Sequence, residues 1–472
     1  MAIENTHLGA HRIAEALSEC KSIFFIGIGG INMSSLAHIS KKRGYKVGGS
    51  DRAKSALTER LAAEGIEIFY SHCADNLDGY DAVVYTVAIS SDNPEYLRAV
   101  ERGMLCISRA DYLGYVMTGY RRRIGVSGMH GKSTCTSMCA HTLINGEADP
   151  TVLSGAELSV MGGAYRVGGE DIFLFEACEY MDSFLDFNPT VAVVLNIELD
   201  HVDYFKSIEQ IRDSYSKFVG LTGEDGVAVY NSDDENVRMS LDGYNGIKIS
   251  FAVEDENAML RAVNITEHKG RYSFDAVEDG ETVCHIDLSV TGRHNVYNAL
   301  AAVAVCRLCG LDRHSIEKGL GSFSGASRRM EKKGSVNGAP VYDDYGHHPT
   351  EVETTLRGAL GNRAEGGRLF CLFQPHTYSR TSALLEDFVK ALSVADRVLV
   401  ADIYAARETD TLGVSADLLA ERIGGCATAC HSFSEAAEIL TRELKEQDTA
   451  VVLGAGDIYK VFDLLEFDGD TK

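Results

Sequence analysis

Arg123-Ile124-Gly125-Val126-Ser127-Gly128-Met129-His130-Gly131-Lys132-Ser133 is the stretch on which the reading of this chain turns. A β-prone segment runs into a glycine-bracketed turn, then into Lys-Ser and a helix-prone run. Glycine lets backbone N–H groups face a phosphate with no Cβ in the way, and a helix N-terminus adds the positive end of its dipole. Lys132 then reaches β- and γ-phosphates, and the Ser133 hydroxyl suits Mg²⁺. The usual P-loop has four residues between its glycines, whereas only Met129 and His130 separate Gly128 from Gly131, and Val126 holds the signature's first position. The alternative is an ordinary strand-to-helix turn with a solvated lysine. Strand, Gly-Lys-Ser and helix together favour a nucleoside triphosphate. With Lys132 taken as a surface-adjacent cation, Lys132→Ala is expected to leave the packing undisturbed.

The same pattern occurs on either side. Upstream, Ser22-Ile23-Phe24-Phe25-Ile26 enters Gly27-Ile28-Gly29-Gly30, with a helix expected over Met33 to Lys42 and a strand from Tyr45 ending at Ser50-Asp51. Asp51 falls where a ribose-binding acid would stand in a dinucleotide fold, but Asn32 occupies a position that wants a small residue. An NAD-dependent oxidoreductase is the alternative this turn raises, and it leaves Lys132 without purpose. Downstream, Leu369–Phe373, Arg397–Val400 and Ala450–Leu453 are apolar runs that each end in a polar or glycine-rich turn. Alternating strands and helices predict an α/β chain of mostly parallel sheets, with ligands at the strands' carboxyl ends. Residues 251–290 alternate charged and strand-like positions and predict an antiparallel excursion.

Composition narrows the function. Lys plus Arg is 45 and Asp plus Glu is 69, a formal charge of −24, which repels nucleic acid and anionic lipid. Twelve cysteines are too irregularly spaced for a disulfide framework, and no apolar window approaches the ~20 residues of a membrane span. A cytoplasmic protein with reduced thiols is expected. Cys306-Arg307-Leu308-Cys309 has redox spacing but lies in an apolar helical stretch, so packed cysteines are expected there and at Cys135 and Cys139.

Further segments carry a resemblance. They are Glu176-Ala177-Cys178-Glu179 with Ser183-Phe184-Leu185; Asn196-Ile197-Glu198-Leu199-Asp200-His201-Val202-Asp203; Gly292-Arg293-His294-Asn295 with Asn298-Ala299; Arg328-Arg329 with Glu331; Asp343-Asp344-Tyr345-Gly346-His347-His348-Pro349-Thr350; Phe373-Gln374-Pro375-His376 with Tyr378-Ser379-Arg380; and Gly454-Ala455-Gly456-Asp457. With the two glycine turns, in this order, the chain resembles the Mur ligase family, ATP-dependent amino-acid ligases of peptidoglycan precursor synthesis. The Asp-Asp-Tyr-Gly-His-His-Pro run is similar to the branch that adds L-alanine, or to its relative that returns a recycled tripeptide to the same sugar nucleotide.

The resemblance implies three domains: a Rossmann-like UDP-sugar domain over 1–120, a P-loop-type central ATPase domain over 121–325 and a Rossmann-like C-terminal domain over 326–472. It implies that the lactyl carboxylate of UDP-N-acetylmuramate takes the γ-phosphoryl group of ATP, and that L-alanine then attacks the acyl phosphate. Lys132, Glu176, His201, His348 and Arg380 would be catalytic. Gly128, Met129, His130, Gly131, Lys132, Ser133, Thr134, His294, Asn295, Arg328 and Asp344 would hold ATP; Ser133, Glu176 and His201 would hold Mg²⁺. Gly29, Gly30, Ser50, Asp51, His72, His347 and Arg380 would meet the substrates. Glu176 also stands on its own residues, since it ends the apolar run Ile172–Phe175, where such sheets place ligand-binding side chains. Asn298 is read as structural, and Lys217, where some Mur ligases carry a carbamylated lysine, as a surface residue. Thr377 stands where many alanine-adding ligases have arginine, and Cys178 where aspartate is commoner. A monomer or weak homodimer is expected.

Overall fold

The computed structural model describes residues 3–201, 204–361, 363–406, 408–409 and 412–469; Val202 and Asp203 of the quoted motif lie outside the described residues. Three sheets follow one another along the chain. The first has five parallel strands in the order Glu67–Phe69, Lys46–Ser50, Ser22–Ile26, Ala82–Tyr85, Leu105–Ser108. Its middle strand, Ser22–Ile26, is buried at every position, as an apolar run covered on both faces must be. The expected helix after the glycine turn is Ile31–Lys42. Strand order reverses beside this turn, the place where such sheets receive ligands.

The second sheet has ten strands, and its centre positions the site. Arg122–Ser127 lies between Ile172–Glu176 and Val191–Val194, parallel to both. The phosphate loop, Glu176 and the segment from Asn196 to His201 therefore leave the same edge together. The antiparallel excursion is Leu260–His268, Arg271–Glu278 and Glu281–Thr291. Residues 251–252 instead end a parallel strand, Ile247–Ala252, with Phe251 paired to Asn231 on one side and both residues paired in parallel to Leu260 and Arg261 on the other.

In the third sheet Glu331–Val336 pairs antiparallel with Ala339–Asp344, followed by parallel Thr449–Leu453, Leu369–Phe373, Arg397–Ala401 and Ala427–Cys430. Cys135, Cys139 and Cys306 are buried in the core of the middle domain and Cys309 packs at its edge.

The junctions between domains differ in kind. A single apolar core runs from the first domain into the second, with Tyr120 packed on Phe173 at a ring separation of 4.8 Å. The third domain has cores of its own. At the site it meets the middle domain through polar contacts: Arg329 to Ser133, Thr350 to Glu198, and Arg380 to Asp200.

Gly48 shows how tightly the first sheet is filled. A Cβ there would lie 1.9 Å from the Tyr80 hydroxyl oxygen. Gly48→Ala should lower stability by about 1–3 kcal/mol, the usual cost of overpacking, read as a shift in the urea midpoint with an unchanged m-value.

Candidate active site

The helix Lys132–Asn145 begins directly after Gly131, whose φ of +83° is left-handed. A Cβ on Gly131 would also meet Asn298 Oδ1 at 2.6 Å, so two independent constraints demand glycine here. This contact, with the Asn298 amide donating to Asn295 Oδ1 at 2.9 Å, gives Asn298 the structural role expected of it.

Lys132 curls back over its own loop. Its Nζ donates to the carbonyls of Gly128 at 2.5 Å and Met129 at 3.2 Å and pairs with both oxygens of Glu179 at 3.1 Å. Glu179 is fully buried and also meets His201 Nε2 at 3.2 Å. Burial alone would pull the lysine pKa down, but Glu179, with Cys178 and Glu176 behind it, turns the net shift upward. Burial would raise the Glu179 carboxyl; Lys132 and then His201 hold it below the usual range. The sequence-based picture of Lys132 as a cation indifferent to packing is corrected here: its removal strands a buried carboxylate.

Beside this pair, Glu176 Oε2 accepts from the Ser133 hydroxyl at 3.0 Å, while Oε1 accepts from Gly155 N at 2.5 Å and Ser154 at 3.3 Å. Two adjacent oxygens at a helix start fit the hard-oxygen preference of Mg²⁺. Arg329 donates to the same Ser133 oxygen at 3.2 Å. His201 and Glu179 form the neighbouring pair, and His201 adopts φ +51°, a strained value for a bulky residue.

A cavity of about 820 Å³ opens against the loop, lined among others by His130, Gly131, Thr134, His294, Asn295 and Arg329. Asp344 also lines it, with both oxygens accepting backbone N–H groups, from Gly346 at 2.8 Å and Met330 at 2.9 Å. Burial pushes the His294 imidazole down to about 4, so it is neutral at pH 7. The Asn295 amide donates to Thr291 O at 2.7 Å and its oxygen accepts from Asn298. Arg328, expected at the nucleotide, is placed elsewhere. Its guanidinium lies between Tyr345 and Tyr459 at 5.1 and 5.2 Å and donates to Gly454 O at 2.6 Å, so cation–π packing inside the third domain holds it and Arg329 takes the cavity side.

The third domain contributes the remaining residues. Arg380, on the short helix Tyr378–Ala383, pairs with Asp200 at 3.2 Å. Burial would raise the Asp200 carboxyl, yet Arg380 above all holds it well below the carboxylate range. Thr377 is not a lost contact alone: at φ +64° it caps this helix, its hydroxyl accepting from Arg380 N at 3.5 Å. His347 faces Glu351 at 3.4 Å, and burial pulls its pKa down to about 4. His348 caps the helix Pro349–Leu360, while Lys217 is exposed, as read.

In the first domain, the Gly29 N–H donates to Asp51 Oδ2 at 2.8 Å, which closes the glycine turn. Gly30 is the N-cap of the following helix. Ser50 is buried, and its hydroxyl donates to Glu95 at 2.6 Å; Glu95 also holds His72 Nδ1 at 2.7 Å. Ser50 therefore fixes its neighbours rather than facing solvent.

Sequence reasoning gave no site role to Glu179, Glu198, Glu351, Arg329 or Glu95. Glu351 carried a signal, since His-Pro-Thr-Glu has capping-box spacing, and the structure forms that box. Glu95 carried none, being an acid in the first turn of an ordinary helix.

A parallel sheet that ends in a glycine turn, a lysine and an adjacent hydroxyl–carboxylate pair defines a P-loop-type α/β protein. Family models match along the chain: "Mur ligase family, catalytic domain" over residues 22–121, "Mur ligase middle domain" over 126–306 and "Mur ligase, glutamate ligase domain" over 328–456. UDP-N-acetylmuramate–L-alanine ligases of Clostridium tetani and Clostridium novyi are 43% and 44% identical, covering 95% and 93% of this chain and 98% and 96% of theirs. The crystal structure of UDP-N-acetylmuramate-alanine ligase from Thermotoga maritima matches with a TM-score of 0.77 at 27% identity, over 94% of this chain and 97% of that one. The chain belongs to the Mur ligase family.

His130 provides a pH test. Burial would lower its pKa, but Glu198 and Glu351, each 3.4 Å away, raise it to about 9. A folded-state pKa above the ordinary 6.5 means a stabilising contribution complete below about pH 6.5 and lost as pH rises through 9. Urea midpoints should fall across that window, and His130→Gln should flatten this part of the profile.

Proposed function

We propose that this chain joins L-alanine to the lactyl carboxylate of UDP-N-acetylmuramate at the expense of ATP, releasing ADP and phosphate. The observation that carries the ATP half is the convergence of Lys132, the Ser133–Glu176 pair and Arg329 on one helix N-terminus, whose Gly131 and Thr134 line the adjoining cavity together with Arg329. The names of relatives 43–44% identical over nearly the whole chain support the two other substrates.

The reaction brings an anionic carboxylate up to an anionic triphosphate, so cationic groups must be fixed in advance between them. Lys132, Arg329 and the loop N–H groups supply that charge. Ser133, Glu176 and, through the family resemblance, His201 are the residues that would hold Mg²⁺, which adds neutralisation of the β- and γ-phosphates when bound. A carboxylate oxygen displaces ADP from the γ-phosphorus; the alanine nitrogen then attacks the acyl carbon, loses a proton and expels phosphate. Arg380 and His347 would bind the substrate's carboxylate or the acyl-phosphate oxygens, a guanidinium being able to pair with two oxygens at once. His294, Asn295, Thr134 and Asp344 would face the nucleoside from the cavity wall. Gly29, Gly30, Asp51 and His72 would meet the UDP-sugar on the first domain.

The units 1–120, 121–325 and 326–472 then serve sugar nucleotide, ATP and closure in turn. The polar junction of the third unit suits a part that moves. We assign the reaction to the cytoplasm, where its nucleotides are made; no helix among the described residues is long and apolar enough to cross a membrane.

Phosphate release should require ATP, UDP-N-acetylmuramate and L-alanine together. Release with a recycled tripeptide and none with alanine would overturn the substrate assignment. Lys132→Met should abolish release and also cost about 1–3 kcal/mol of stability, because Glu179 loses its main buried partner. Adding Glu179→Gln should restore the urea midpoint without restoring turnover.

A further inference from the structure

His130, Glu198 and His348 come from three separate segments: the phosphate loop, the turn after Val191–Val194, and the start of the helix Pro349–Leu360. One metal-ligating atom from each lies within 4.8 Å of the other two. His130 Nε2 and Glu198 Oε2 are 3.4 Å apart, close to the edge of a tetrahedron built on bonds of ~2.0–2.1 Å. His348 is only 6% exposed; Thr350 N donates to its Nδ1 at 3.4 Å, and its Nε2 has no hydrogen-bond partner. A buried ring nitrogen without a partner is costly unless a ligand completes it.

The surroundings match those of metal-bound histidine. His130 Nδ1 is buried and makes no hydrogen bond, with Glu351 Oε1 3.4 Å away as the nearest carboxylate to orient it, and Nε2 is turned toward Glu198. Glu198 Oε2 accepts from Thr350 Oγ1 at 3.0 Å, which orients the carboxylate. Outer partners of this kind orient metal ligands, and a carboxylate beside the free ring nitrogen raises a histidine's basicity.

We propose that His130, Glu198 and His348 bind a transition-metal dication, zinc by preference, that ties the phosphate loop to the third domain. Two imidazoles and one carboxylate suit zinc, whereas Mg²⁺ prefers an all-oxygen set such as Ser133 and Glu176. This is therefore a second site with different chemistry. His130 and Glu198 line the nucleotide cavity, so water or a phosphate oxygen can complete the tetrahedron from that side. Because the ligands span two domains, the ion opposes their separation.

The competing reading is that a protonated His130 merely bridges Glu198 and Glu351 and that no ion enters. Titrating Co²⁺ into metal-stripped full-length protein separates the two. A tetrahedral site gives an intense visible absorption that one equivalent of Zn²⁺ abolishes and excess Mg²⁺ does not. His348→Ala and Glu198→Gln should each weaken Co²⁺ binding at least about tenfold, and Glu351→Gln about tenfold. Zn²⁺ should also raise the melting temperature of the wild-type protein and not of Glu198→Gln. Glu198 is 42% exposed, so its variant tests the site even if His348→Ala fails to fold. A weak octahedral spectrum, or affinities unchanged in Glu198→Gln, would overturn the proposal. Neither readout depends on turnover, so the outcome is independent of the substrates assigned above.

Discussion

Everything at the centre of this molecule depends on a lysine and a glutamate held together out of solvent. The protein carries a formal charge of −24, yet it keeps a buried cation on the glycine turn at the end of the strand Arg122–Ser127. Glu179 makes that possible: fully buried and held ionised, it fixes Lys132 against the loop carbonyls on one side and His201 on the other. Neither charge is tolerable without the other at this depth. The pair therefore locks the ends of the strands Arg122–Ser127 and Ile172–Glu176 and the turn that carries His201 into one arrangement.

The two domain junctions divide the work. The first and middle domains share apolar core, and separating them would expose aromatic surface such as Tyr120 and Phe173. The third domain reaches the site through guanidinium, hydroxyl and imidazole contacts, which water can replace at small cost. Of the two junctions, the polar one is therefore the cheaper to separate.

Arg328 and Arg329 show how little separates an inward from an outward role. They are adjacent, and the sequence reading puts only Arg328 at the nucleotide. Arg328 has a left-handed backbone and two aromatic rings to lie between; Arg329 extends across the junction to the helix that follows the phosphate loop. The choice was made by Tyr345 and Tyr459, and no local pattern announces them. Thr377 is similar: its side chain holds the first turn of the helix that presents Arg380, a role invisible without the fold.

The sequence by itself determined the strands, the glycine turns and the order of the domains. Those features are local: apolar runs bounded by glycine, and a lysine and a serine placed next to the turn that needs them. The resemblance added which side chains to look for, and it carried His201 and Arg380 where spacing alone gave nothing. Tertiary structure alone decided the carboxylates that set the electrostatics, namely Glu179 under Lys132, Glu198 and Glu351 around His130, and Asp200 against Arg380. An acid has no periodicity to betray its partner, and these partners are brought together only when the second and third sheets bring the ends of their strands to one place.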